Sequence, residues 1–103
     1  MFSEDSLDRA LRAIADPTRR RILLVLKEGG ESKTPAPKHI HASCLCGGDI
    51  EERIRLSQPT ISHHMAILSQ AGLVEAIKHG QWRWYRRNER AIRQVVKMLR
   101  GKL

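Results

Sequence analysis

Cys44-Leu45-Cys46 sets two sulfur donors two residues apart, and His39 and His41 precede them to give the run H-x-H-x-x-C-x-C. Thiolates favour thiophilic ions such as As(III), Sb(III), Cd(II), Zn(II) or Cu(I) over hard cations. The two histidines are candidate further ligands if the ion is a borderline metal. Donor chemistry alone does not choose among these ions, and two other readings of the pair stay open: a thiol redox switch, or two reduced thiols with no sensory role. These are the only cysteines in the chain, so in a reducing compartment a structural disulfide is not expected. A cysteine nucleophile activated by His39 or His41 would need an orienting group, an oxyanion donor set or a cofactor loop. The sequence offers none of these, and an enzyme is not expected.

A second set of chemically able residues lies further on. Gln58, Thr60, Ser62 and His63 are short, polar and close together. Gln can bond adenine through two hydrogen bonds, and Ser and Thr accept several base partners. Lys78, His79, Gln81 and Arg83 follow around a glycine, and cations there can touch phosphates or the minor groove. Capping and plain solvation are the structural uses of the same residues, so what decides is how the elements present them.

The elements follow from spacing and punctuation. Leu7, Leu11 and Ile14 recur at helical spacing and predict a first helix from Leu7 to Ala15. Asp16-Pro17 predicts a capped second helix with Ile22, Leu23, Val25 and Leu26 on its buried face, running to Gly29-Gly30. The glycines and prolines between 30 and 48 predict a loop carrying the Cys pair. Asp49 is the expected cap of a short third helix with Ile50 and Ile54 on one face, ending near Leu56. Ser57 is the expected cap of a fourth helix that starts at Gln58-Pro59, buries Ile61, Met65 and Leu68, and stops at Gly72. So tight a turn between two helices is a helix-turn-helix signature. Strands at Leu73–Lys78 and Gln81–Arg86, joined at His79-Gly80, read as a hairpin wing. Asn88 caps a last helix in which Ile92, Val95, Val96 and Leu99 form an apolar stripe ending near Gly101.

The fold class expected is therefore α+β, mainly α: one winged helix-turn-helix domain over residues 1–103, in the order α-α-α-α-β-β-α. A chain of 103 residues supports one modest core. The stripes on the first and last helices call for a second copy, so a homodimer pairing through them is expected. Nineteen Lys+Arg against eleven Asp+Glu give a net charge of +8, which suits a polyanionic partner. A paired recognition helix predicts an inverted repeat in duplex DNA, with half-sites centred about 10 base pairs, or a small multiple, apart. A winged helix that binds protein instead of DNA is the rival reading. No apolar run approaches the roughly 20 residues of a membrane span, and the N-terminus lacks a signal-like block. A cytoplasmic protein without a membrane partner is expected, folding without any cofactor.

Three segments resemble the ArsR/SmtB family of prokaryotic metal-responsive repressors, nearest the arsenic-responsive type. ALRAIADPTRRRILLVL is similar to the family's first two helices, RLSQPTISHHMAILSQAGLV to its helix-turn-helix and HGQWRWYRR to its wing. The resemblance implies a dimeric repressor that leaves its operator when an inducer binds, with Gln58, Ser62 and His63 where family members contact DNA. Arsenic-responsive members carry a similar Cys-x-Cys pair at the start of the third helix, which favours As(III) or Sb(III) as inducer here. Two departures stand out. Gly47-Gly48 separate the pair from Asp49, and no third cysteine completes a trithiolate site. The acidic and histidine pattern that other members use for zinc on the last helix is absent from NERAIRQVVKMLR.

Overall fold

The computed structural model describes residues 2–30, 32, 38 and 44–103. His39 and His41 lie outside the described residues. Five helices and three strands follow in the order α1 (Glu4–Ile14), α2 (Pro17–Glu28), β1 (Leu45–Cys46), α3 (Gly47–Ile54), α4 (Gln58–Gln70), β2 (Val74–His79), β3 (Trp82–Arg87) and α5 (Glu89–Lys102).

Local chemistry sets most of the boundaries. Ser3 caps α1 by accepting the Ser6 N–H at 3.1 Å, a turn earlier than the apolar spacing alone suggests. Asp16 caps α2 through the Arg19 N–H at 3.1 Å, with Pro17 in the first turn where no backbone donor is needed. Asn88 caps α5 through the Ala91 N–H at 3.1 Å. Gly72 closes α4 at φ +77, where the Gly72 and Leu73 amides bond back to Ser69 and Leu68, each at 3.0 Å.

The core lies between the helices and one face of the sheet. Ile22 and Leu26 of α2, Ile50 and Ile54 of α3, and Ile61, Met65 and Leu68 of α4 pack with Leu45, Val74 and Tyr85 from the strands. The α3 and α4 residues are those that the spacing assigns to the interior. Leu7 and Val95 are expected to wait for a partner chain, yet both are buried within this one. Leu11, Ile92 and Leu99 are only partly covered, and Val96 is 52% exposed. That narrower strip, with α1 and α5 side by side and a Glu4–Lys102 ion pair between them, is what one chain leaves open.

The cysteine segment departs from expectation. Residues 45–48, read as the end of a loop, are strand and then helix. Leu45 and Cys46 pair antiparallel with Tyr85 and Trp84, making β1 the third strand in the order β1-β3-β2. Cys46, not Asp49, is the N-cap of α3; Gly47 and Gly48 form its first turn and Asp49 is its third residue. The buried Asp49 carboxylate accepts the Cys46 N–H at 2.9 Å, closing the cap from inside the helix. Glycine is a poor helix former in an interior. At the first two positions, however, the amides have no helical partner, and Asp49 organises the turn. The helix ends at Ile54, not Leu56, because Arg55 adopts φ +63, which turns the chain toward α4. The wing is displaced by one residue. Gly80 takes φ +59 at the first of the two turn positions Gly80-Gln81, the place where a two-residue hairpin turn accepts glycine.

Candidate nucleic-acid interface

The outward side of α4 begins with two side-chain pairs that set its polar groups. Gln58 Nε2 donates to Ser62 Oγ at 2.9 Å, one helical turn on. The Ser57 and Thr60 hydroxyls lie 2.9 Å apart, so Ser57 acts at the cap through Thr60 and not through the backbone. Gln58, Thr60, Ser62 and His63 are all exposed, while Ile61, Met65 and Leu68 hold the opposite side in the core. The helix thus presents hydrogen-bonding groups at its N-terminal end on an anchored scaffold, as a recognition helix must.

The position of α4 is fixed from behind by Arg19, whose side chain is largely buried. Its Nε donates to the Ala13 carbonyl at 2.7 Å, Nη2 to the Arg12 carbonyl at 3.2 Å, and Nη1 lies 3.2 Å from His64 Nδ1. Asp16 stands 3.8 Å from the same guanidinium. One fork therefore joins the end of α1, the start of α2 and the exit face of α4. The Arg19 backbone hydrogen bond, against a smaller desolvation penalty and aided by the Arg19 charge, holds the Asp16 carboxyl below its ordinary value of 3.8.

The wing completes the surface. Cross-strand register puts Lys78 opposite Arg83, with Leu45, Tyr85 and Val74 on the same face of the sheet nearer the core. Two like charges directly opposite one another repel, an arrangement that an anion between or above them relieves. Between wing and α4 runs a groove of about 510 Å³ lined by Gln58, Ser62, Gln81, Trp82 and Arg83, with Gly47, Gly48 and Glu51 of α3 along one wall. Four of the residues expected to contact DNA, Gln58, Ser62, Gln81 and Arg83, meet there. Thr60, His63 and Lys78 are exposed but do not line it. Trp82, 41% exposed, and the start of α3 belong to this groove and were missed by sequence reasoning. Trp82 reads there only as a strand former; its place as the first residue after the Gly80-Gln81 turn is the signal that could have marked it.

Cys44 and Cys46 occupy the other face of the sheet. Spacing of two along extended chain puts both on one side, and they form a buried cluster with Trp84, flanked by Ile77. They are 3% and 1% exposed and outside any disulfide. Ser32 Oγ lies 3.8 Å from Cys46 Sγ. Glu75 raises the Arg86 pKa, first by its hydrogen bond and then by its charge. Among the described residues no group of three or more His, Cys, Asp or Glu side chains converges as a metal site. Nor, among them, is any helix long and apolar enough to cross a membrane.

Residues 42–76 match the sequence model of the family described as bacterial regulatory protein, arsR family. The chain is 35% identical over 88 residues to an uncharacterised HTH-type transcriptional regulator of Methanocaldococcus jannaschii, covering 85% of this chain and 84% of that one. It is 34% identical over 90 residues to the transcriptional repressor SdpR of Bacillus subtilis, covering 87% and 84%. It is 31% identical over 98 residues to an arsenical resistance operon repressor of Staphylococcus aureus, covering 95% and 81%. Among solved structures, an ArsR family transcriptional regulator superposes with a TM-score of 0.74 at 19% identity, covering 97% of this chain and 88% of the other. The homodimeric winged helix-turn-helix DNA-binding domain from Mycobacterium bovis gives 0.68 at 23%, covering 95% and 79%. At those identities the two structures speak to the fold.

Proposed function

The chain belongs to the ArsR family of bacterial regulatory proteins and is a winged helix-turn-helix transcriptional regulator, not an enzyme; from that premise we propose a cytoplasmic homodimeric repressor that a thiophilic ion, As(III) or Sb(III) first, releases from operator DNA. The observation that carries the reading is the groove in which Gln58 and Ser62 of α4 face Gln81 and Arg83 of the wing. A duplex whose major groove receives α4 brings a sugar-phosphate strand toward the wing, where Lys78 and Arg83 stand opposed. A homodimeric M. bovis neighbour of the same fold and the incompletely covered strip along α1 and α5 support pairing of two copies.

Coupling of the cysteines to this groove has a short path. Cys46 is at once a strand partner of Trp84 and the N-cap of α3, and the next two residues, Gly47 and Gly48, line the groove wall. Any movement of the Cys46 sulfur toward a bound ion therefore acts on the first turn of α3 and on the Asp49 bond that closes it. The residues suit a soft ion that accepts two thiolates and whose third position is filled by a group other than a cysteine of this chain. To convert mostly bound into mostly free protein the ion must prefer the released form, and a hundredfold preference corresponds to about 2.7 kcal/mol.

The test of the DNA-reading half compares specific with random duplex. Gln58→Ala and His63→Ala should each weaken binding at the specific site by about 1 to 3 kcal/mol and cost much less on random DNA. Equal losses on both would mean that these side chains position α4 without reading sequence.

A further inference from the structure

Trp84 is the largest side chain that the fold encloses completely, at 0% exposure. It faces Cys46 across the β1–β3 ladder and packs with Cys44 and Cys46. Among the described residues its Nε1 is the buried side-chain polar atom without a hydrogen-bond partner. The large majority of buried side-chain polar atoms are paired, and an exception in a packed cluster needs a reason. A phenylalanine would keep an aromatic ring there, smaller than the indole, with no donor to leave unpaired. What the indole adds is one N–H, set in the cluster that holds both thiols.

We propose that the Trp84 N–H is part of the inducer site and donates to the oxygen that inorganic As(III) or Sb(III) retains after both cysteines have bound. The inference rests on the proposed reading of Cys44 and Cys46 as the inducer ligands. Arsenous acid, As(OH)3, reacts with two thiols by exchange: two As–O and two S–H bonds break, two As–S bonds form, and two waters leave. Arsenic stays trivalent and keeps one hydroxyl. With no third cysteine in the chain, that hydroxyl is the group the protein must still accommodate, and an indole N–H is a matched donor for it.

The strand geometry favours a bridging atom over a direct sulfur–sulfur bond. Two residues of extended chain separate the Cys44 and Cys46 Cα atoms by about 6.6 Å, at the far end of the range for disulfides, most of which lie near about 5.5–6 Å. An atom held between the sulfurs relaxes that demand.

The experiment uses the full, reduced chain and two probes: sodium arsenite, and methylarsenous acid, whose carbon substituent leaves no hydroxyl once two thiols have bound. Binding is read by titration and by the indole N–H resonances of nitrogen-labelled protein, with Trp82 as internal control. Arsenite should move the Trp84 N–H resonance downfield and leave that of Trp82 in place, whereas methylarsenous acid should produce no downfield movement. Trp84→Phe should lose roughly five- to tenfold in arsenite affinity and nothing for methylarsenous acid. Equal losses for both probes, or none for either, would overturn the assignment, as would an unmoved Trp84 resonance in the parent chain, which decides the matter even if the Phe variant folds poorly. If Cys44→Ser/Cys46→Ser abolishes arsenite binding while Trp84→Phe leaves it intact, the cysteine reading stands and the Trp84 role falls. If the parent binds neither probe, both fall.

Discussion

Replacing Arg83 by glutamine should weaken DNA binding and stabilise the fold at the same time. Arg83 faces Lys78 directly across the β2–β3 ladder, and both are exposed. The neighbouring Arg86, by contrast, is held 2.7 Å from Glu75. Opposed like charges on a strand pair are unfavourable by a few tenths of a kcal/mol, so removing one should raise stability by about 0.2–0.5 kcal/mol. On DNA the charge acts the other way. Each phosphate contact adds about 0.9 to the slope of log affinity against log salt, so the two wings of a dimer lose about 1.8 on substitution. Between 50 and 200 mM salt, a change of about 0.6 in log concentration, the parent should then lose about 12-fold more affinity than the variant. Fluorescence anisotropy of labelled duplex across that range measures the slope, and urea denaturation of the same preparations measures stability. An unchanged slope, or a variant less stable than the parent, would refute the assignment of this pair to phosphate.

Three further outcomes follow from local geometry. Asp16 has its pKa depressed by the Arg19 backbone hydrogen bond and then by the Arg19 charge; its contribution is present above the ordinary carboxylate value of 3.8 and is lost as pH falls through the lowered one. Asp16→Asn, which keeps an acceptor at the cap, should flatten that acid limb in a pH series of thermal melts while leaving α2 formed. Arg55→Gly should stabilise the chain by about 0.5–1 kcal/mol, because a side chain at φ +63 costs about 1–2 kcal/mol, partly offset by the entropy of glycine; a urea midpoint at or below the parent's would contradict this. Arg19→Lys removes the fork to Ala13, Arg12 and His64 and should cost about 1–3 kcal/mol in denaturation, with weaker operator binding under conditions where the variant is fully folded.

Much of this arrangement can be read from residue types because local chemistry dictates it. Asp16-Pro17, Asn88 and Gly72 act where their side chains or conformational freedom place them, and Ile61, Met65 and Leu68 face inward as a helical period requires. The polar N-terminal face of α4 is legible for the same reason. What escapes is decided at a distance. Leu45-Cys46 becomes a strand only because Tyr85 and Trp84 lie alongside it, and two glycines read as loop become helix because Asp49 closes the turn behind them. Arg55 carries no sign of its left-handed conformation, since the connection between α3 and α4 imposes it. Leu7 and Val95 look unpartnered by period, but neighbouring elements cover them. The groove beside Trp82 requires knowing how the wing leans on α4, which no spacing in the sequence specifies.

The most direct test of the account is footprinting of the reduced protein on duplex DNA from its own upstream region, with and without arsenite. The parent should protect an inverted repeat with half-sites about 10 base pairs, or a small multiple, apart, and should release it on adding arsenite. Cys44→Ser/Cys46→Ser should protect the same repeat and keep it at arsenite concentrations that empty the parent. Release of parent and double variant at the same concentration would contradict the cysteine account, and the absence of any protected repeat would contradict the DNA-reading role assigned to α4 and the wing.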